Sequence, residues 1–233
     1  MNRILLAACA TAVVFGLVAG AAQAQTLRPS VALHISDLVA KNACEAPPDS
    51  MCGEIVTADP DGVDPGGGSA GLHNVYMVVL PDENGIRAME AGIWYEFFET
   101  NAGIKVFQWN LCADQEFASP TWPDPDGYNT IVWTSCVGDP SHFRVAGYFY
   151  MGAYSPSLMQ LTPRANNGLY TIANCEGAER ALTWPDNAGW VSFGDRVGDG
   201  SSLGCNPCLE PCTSVPVDRR TWGGIKRAFG SGE

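Results

Sequence analysis

Basic residues are scarce. Thirteen Lys and Arg stand against 25 Asp and Glu, giving a net charge of -12. The imbalance is sharper inside the chain: Gln25 to Asp218 holds 24 acidic and 8 basic residues, a net of -16, whereas Arg219 to Glu233 holds 4 basic residues and one acid, a net of +3. A body this acidic repels phosphate backbones and anionic lipid heads, so nucleic acid is not expected as a partner, while cations and basic surfaces are compatible with it. Histidine is rarer still. His34, His73 and His142 are the only three, no Gly-x-Ser-x-Gly occurs, and no serine-hydrolase constellation can be read from the chain. Each histidine is flanked by strand-forming residues, where a hydrogen-bonded structural role is expected. Beyond the first 24 residues no apolar run approaches the roughly 18 residues that a membrane helix needs. Amphipathic stretches of helical length and internal repeats are also missing between the apolar runs, which argues against a parallel α/β fold or a solenoid.

What is present begins with an export signal. Arg3 precedes an apolar run from Ile4 to Ala22, and Ala22-Gln23-Ala24 supplies a small-residue cleavage site, so residues 1–24 read as a signal peptide and Gln25 as the mature start. Leu6-Ala7-Ala8-Cys9 spells a lipobox, but only three apolar residues precede Ala7 and the hydrophobic run continues past Cys9. No other segment is expected to span a membrane, and the mature chain is expected to be soluble or attached to a surface by other means.

Between Asn74 and Tyr154 lie four aromatic-rich runs, NVYMVVL, AGIWYEFF, IKVFQWNL and HFRVAGYFYMGAY. Their content of Val, Ile, Phe, Tyr and Trp suits a pleated, half-buried surface. Ser30–Val39 reads as a preceding edge strand, Glu54–Thr57 as a short strand, and Thr130–Ser135, Met159–Thr162, Gly168–Ala173 and Trp190–Phe193 as further strands, with one helical turn over Glu176–Leu182. In Ala88–Glu99, alternation puts Met89, Ala91, Ile93, Tyr95 and Phe97 on one face. In His142–Tyr154 it puts Phe143, Val145, Gly147, Phe149 and Met151 together, and Ala146, Tyr148 and Tyr150 opposite. Pro81-Asp82-Glu83-Asn84-Gly85 reads as the turn of a hairpin joining the first two runs. Cys112–Asn129, acidic and proline-rich, reads as a long exposed loop. Strands joined by turns make an all-β, largely antiparallel β-sandwich, jelly-roll or cohesin-like, with one domain over residues 25–212 and a basic aromatic tail over 213–233.

Eight cysteines remain after the signal: Cys44, Cys52, Cys112, Cys136, Cys175, Cys205, Cys208 and Cys212. An even number in an exported chain implies a disulfide framework, although eight cysteines allow 105 connectivities. Cys44 with Cys52 and Cys112 with Cys136 are the local pairings to expect, leaving Cys175 with the C-terminal three. Cys205-x-x-Cys208 lacks the second pair of ligands that zinc requires, so a structural disulfide role is expected.

Several motifs invite chemistry. Gly66-x-Gly68-x-x-Gly71 matches a dinucleotide fingerprint by letter, yet it leads into a strand, whereas the phosphate site needs a following helix N-terminus. Asp59, Asp61 and Asp64 place three carboxylates in a glycine-containing loop, a possible calcium site, against the plainer reading that Asp-Pro and Asp-Gly pairs form turns. Asp124 with Asp126 and Asp195 with Asp199 are weaker versions. Trp122 and Trp184, each before a proline, are the expected exposed pair for stacking on a glycan, while Trp133 and Trp190 are expected in the core. The pairs Glu96 with Glu99 and Asp114 with Glu116 offer carboxylates for glycosidase chemistry, but composition alone supplies such pairs. In Thr221–Phe229, Trp222, Ile225 and Phe229 share one helical face with Lys226 beside it; Gly223 and Gly224 each cost a helix about 1 kcal/mol, so this segment needs a surface to order against.

The phrases VAGYFYMGAYSP (Val145–Pro156), LTPR (Leu161–Arg164), CNPC (Cys205–Cys208) and TWGGIK (Thr221–Lys226) together resemble a group of uncharacterised exported bacterial proteins that end in a Thr-Trp-Gly-x-Ile-Lys tail. The resemblance runs from about Val75 onward, and this chain departs from it by continuing past Phe229 into Gly-Ser-Gly-Glu. It implies that the tail is a modular address or docking element. Strand order is distantly similar to cohesin-type sandwiches. The expectation is therefore a secreted or cell-surface, non-catalytic interaction module with a protein or glycan partner; a glycan- or calcium-binding module and a hydrolase of extracellular polymers are the alternatives.

Overall fold

The computed structural model describes residues 29–36, 44, 52–63, 71–139, 142–195 and 203–212. The proposed signal peptide, Asp64, Asp199 and the basic tail with Trp222, Ile225, Lys226 and Phe229 lie outside them. Among the described residues no helix is long and apolar enough to cross a membrane.

The strands in chain order are β1 (Ser30–Ser36), β2 (Ala58–Asp59), β3 (Leu72–Leu80), β4 (Ile86–Tyr95), β5 (Ile104–Leu111) and β6 (Gln115–Ala118). They continue with β7 (Tyr128–Val137), β8 (Arg144–Ala153), β9 (Ser157–Thr162), β10 (Thr171–Ala173), β11 (Glu179–Ala181) and β12 (Trp190–Phe193). They build a β-sandwich. The smaller sheet has the order β1-β3-β8-β5 and is antiparallel throughout. The larger runs β11-β10-β4-β9-β12-β2, with β7 beside β4 and β6 beside β7; among the described strands only the β12–β2 ladder is parallel. β1 is an edge strand and β8 an interior one, as alternation and composition indicate.

The inner faces meet in one core. Val75, Met77, Ile93, Ile104, Phe149, Met151, Met159 and Phe193 are all fully buried there. Each such side chain contributes about 1.5–3 kcal/mol relative to exposure. On β4, Met89, Ala91, Ile93 and Tyr95 face the core, while Phe97, past the strand end, is 54% exposed. On β8 the alternation breaks: Met77 opposes Gly147 but Val78 opposes Val145, so Ala146 is the extra residue of a bulge. The bulge reverses parity. Ala146 joins Phe149 and Met151 inside, whereas Phe143 and Val145 pack with Tyr148 and Tyr76 on the outer side.

The expected hairpin between the first two runs is not formed. The turn itself is as read: Gly85 has φ 74°, its amide donates to Asp82 O at 3.0 Å, and Asn84 N donates to Asp82 Oδ1 at 2.8 Å. β1 and β8 already occupy both edges of β3, so β4 passes to the other sheet. Turn chemistry specifies a reversal, not the strand that will be paired. Cys112–Asn129 is not one loop either. Gln115–Ala118 pairs with β7, and Glu116 Oε2 accepts from Trp109 Nε1 at 2.8 Å and Asn129 Nδ2 at 2.6 Å. Residues 52–54 form a 3-10 turn where a strand was expected to begin, and Glu179–Ala181 is a strand, paired with β10, where a helical turn was expected.

Four disulfides staple this frame: Cys44–Cys112, Cys52–Cys208, Cys136–Cys175 and Cys205–Cys212. The pairings Cys44–Cys52 and Cys112–Cys136 are corrected. Cys112 follows β5 in the smaller sheet, whereas Cys136 lies on β7 in the larger one, where β4 runs between β7 and β10 and brings Cys175 within reach. Nearness in sequence did not predict nearness across the sandwich. Cys205 and Cys208 bond to different partners, which leaves no metal or redox pair in the Cys-x-x-Cys.

Candidate interaction surface

The residues singled out for chemistry are mostly committed to the fold. Asp59 Oδ1 accepts from Asp61 N at 3.0 Å, and its carbonyl accepts from Gly62 N and Gly194 N, so this carboxylate organises its own turn. Its other oxygen lies 3.9 Å from His73 Nδ1, while His73 Nε2 donates to Gly62 O at 3.1 Å. Among the described residues no three His, Cys, Asp or Glu side chains are grouped to hold a metal. With Asp64 outside the described residues, calcium at this loop stays a proposal.

His34 and His142 have separate local partners, Val56 N and Asp139 Oδ2. Burial pushes the His34 imidazole below its ordinary pKa. The carboxylates behave alike. Asp114 Oδ2 accepts from Thr134 N and Oγ1, Glu116 is bound as described above, and Glu96 Oε2 accepts from Leu158 N at 3.3 Å. Glu90 pairs with Arg164 at 2.6 Å beneath the Tyr128 ring, whose centroid lies 4.6 Å from the guanidinium carbon. Buried Asp82 receives Asn174 Nδ2 at 3.3 Å and Arg180 Nε at 3.6 Å. Tyr95 and Tyr170 are held protonated mainly by burial, and their hydroxyls donate to the Pro123 and Asn187 carbonyls.

The tryptophan pair divides. Trp184 is 45% exposed, and its Nε1 donates to Leu161 O at 3.1 Å. Trp122 is packed instead of presented: its ring meets Trp109 edge-on at 5.1 Å and Phe149 at 5.5 Å. The segment after β6 closes on itself through Trp122 N to Ser119 O and Gly127 N to Asp124 O, and Asp126 N ties it to Ile93 O. That places the indole against the core. Trp133 and Trp190 are buried, as expected.

The surface that sequence reasoning missed lies on the outer face of the smaller sheet, where β5 forms its edge. Alternation from the buried Ile104 turns Phe107 outward beside Lys105, where it is 42% exposed, and Phe107 is also the extra residue of a bulge between Val106 and Gln108. Its ring lies 5.3 Å from that of Tyr150, and Phe98 lies 4.6 Å from Tyr154. Lys105 Nζ bridges the two pairs, 5.6 Å from the Phe98 centroid and 5.7 Å from that of Phe107, within the range of cation–π attraction. Gly152 lies directly opposite Lys105; a Cβ there would stand 3.3 Å from Tyr154 Cε2 and 3.4 Å from Phe107 Cε2, at the close end of an ordinary contact. Simple alternation places Lys105 and Phe107 on one face without saying which; the bulge puts Gln108 beside Phe107 and returns Trp109 and Leu111 to the core.

The sequence matches no protein-family model and no curated protein. Among solved structures, a cohesin module from Clostridium perfringens ATCC13124 family 33 glycoside hydrolase is similar with a TM-score of 0.41 at 8% identity, over 72% of this chain and 98% of that module, a likeness too slight to bear on function.

Proposed function

We propose that this is an exported, non-catalytic interaction module that binds a protein partner at the cell exterior through the platform of Phe98, Lys105, Phe107, Tyr150 and Tyr154. The observation that carries the reading is the exposed Phe107 ring, paired with Tyr150 on the outer face of a stapled sheet. Exposed aromatic rings with a cation among them supply the area and orientation on which interface hot spots depend. The same bulge, with Lys105 beside it, blunts β5 as an edge, so recognition falls to side chains and not to strand addition. Short-range contacts of Asp59, Asp82, Glu90, Asp114 and Glu116 serve turns and sheet cohesion, which supports a scaffold over a hydrolase.

A photo-crosslinking residue at Gln108, the exposed neighbour of Phe107, tests the proposal on intact cells. The expected result is an adduct of one defined mass that disappears when Phe107→Ala is added. No adduct, or one indifferent to Phe107→Ala, overturns it.

A further inference from the structure

The outward side chains of β5 form a line along the platform. Lys105 lies opposite Gly152 of β8, Gln108 opposite Tyr150 and Asn110 opposite Tyr148, with Phe107 turned out between them. Lys105, Phe107 and Gln108 are exposed, and Asn110, Tyr150, Tyr154 and Phe98 are half-buried. The rings make two ledges, Phe107 with Tyr150 and Phe98 with Tyr154. Because Lys105 Nζ is 5.6 Å from the Phe98 centroid and 5.7 Å from that of Phe107, the two phenyl rings stand at most about 11 Å apart. Among the described residues Lys105 has no carboxylate partner.

The polar groups beside the ledges are mostly donors. Gln108 Nε2 donates to Asn110 Oδ1 at 2.8 Å, which leaves Asn110 Nδ2 without a partner among the described residues, as are the Tyr150 and Tyr154 hydroxyls. The Lys105 ammonium is a donor only. A ligand that fits this surface is extended, rich in acceptors, apolar at two points and anionic between them. A polyproline II segment has these properties. It rises about 3.1 Å per residue with three residues per turn, so side chains three positions apart return to one side every ~9 Å, within the span of the two ledges. Its backbone makes no internal hydrogen bonds and its prolines carry no N–H, so it presents carbonyl acceptors to the donors of β5. The competing modes of peptide recognition fit less well. Strand addition needs a regular edge, and the bulge at Phe107 interrupts this one. An amphipathic helix needs a continuous apolar groove, whereas here a cation stands in the middle of the apolar surface. The net charge of -12 repels a run of acids, which limits the segment to a single acid placed on Lys105.

From this we infer that the platform takes an extended proline-rich segment of its partner, with prolines three residues apart on the two ledges and one acidic side chain between them on Lys105. The inference rests on the platform reading above and narrows its partner to one class.

The test uses a fluorescein-labelled peptide containing Pro-Pro-Glu-Leu-Pro-Pro, titrated with the disulfide-intact full chain and read by fluorescence anisotropy. Two further peptides replace the glutamate with lysine or every proline with alanine. The inference expects saturable binding of the glutamate peptide, at least fivefold weaker binding of the lysine peptide and none of the alanine peptide. Phe107→Ala should weaken binding tenfold or more with the melting temperature unchanged. Lys105→Glu should reverse the preference, so that the lysine peptide binds better than the glutamate peptide, which a merely structural Lys105 would not produce. No binding of the glutamate peptide, equal binding of the glutamate and lysine peptides, or binding that survives Phe107→Ala overturns the inference. The two levels fail separately: a Phe107-dependent crosslink at Gln108 without peptide binding overturns this inference and leaves the platform reading standing, whereas loss of both overturns both. Phe107-dependent retardation in gels containing soluble xylan or β-glucan, with no peptide binding, overturns it by making the ledges a sugar site.

Discussion

His34 Nδ1 accepts the backbone amide of Val56 at 3.0 Å, and Val56 O accepts Ile35 N at 2.9 Å, so one imidazole holds the segment after Cys52 along β1. Only the neutral ring can accept at Nδ1, and burial already lowers its pKa from 6.5. The unfolded chain therefore binds the proton first. The stability this contact provides is fully present above pH 6.5, the ordinary value, and is lost as pH falls through the lowered folded-state value. Urea denaturation at pH 8 and pH 5 should show a decline that is smaller in His34→Gln. An equal decline in both proteins would remove His34 as the cause.

Gly85 sits at φ 74° under the Cys136–Cys175 disulfide; a Cβ there would lie 2.7 Å from Cys175 Sγ and 3.3 Å from Cys136 Sγ. Both backbone conformation and space exclude a side chain. Gly85→Ala should destabilise by about 1–3 kcal/mol or leave this pair unoxidised, read by thermal melting and thiol counting.

Cys52–Cys208 ties residues 156 apart in sequence and seats the C-terminal loop, where Asn206 Nδ2 donates to Cys52 O and Cys208 N donates to Asn206 Oδ1. Replacing both cysteines with alanine should cost about 2–5 kcal/mol. Non-reducing peptide mapping should show the other three pairs intact in that variant.

Glu116 Oε2 is shared by Trp109 Nε1 and Asn129 Nδ2, which joins β5 of the smaller sheet to β6 and β7 of the larger. Glu116→Ala leaves both donors without this acceptor and should cost about 1–3 kcal/mol in urea denaturation. Glu99→Ala, at an exposed carboxylate beside the Thr100–Asn101 turn, should be near neutral.

Much of this architecture is legible in the sequence. Period-two patterning finds β4 and separates Met89, Ala91, Ile93 and Tyr95 from their neighbours, because alternation is a property of the strand alone. Partner choice is not. Asn84-Gly85 announces a reversal whichever sheet β4 joins, and Cys44 meets Cys112 only after β5 has been laid at the far edge from β1. Bulges at Ala146 and Phe107 change parity inside apolar runs whose composition does not mark them, which turns Ala146 and Trp109 inward against simple alternation. Trp122 and Trp184 share the same Trp-Pro context, yet one packs on Phe149 and the other faces solvent. Their fates are decided by where Asp126 and Leu161 anchor the neighbouring backbone.

The most direct test of the interaction-module account is the partition of the full chain, expressed in its own cells, between the cell surface and the medium, compared for the wild type and Phe107→Ala. Phe107 is 42% exposed, so its removal should leave melting temperature and disulfides essentially unchanged. The account predicts that the wild type is retained at the surface and that Phe107→Ala is released into the medium. Equal retention of both proteins, with matched melting temperatures, would contradict it.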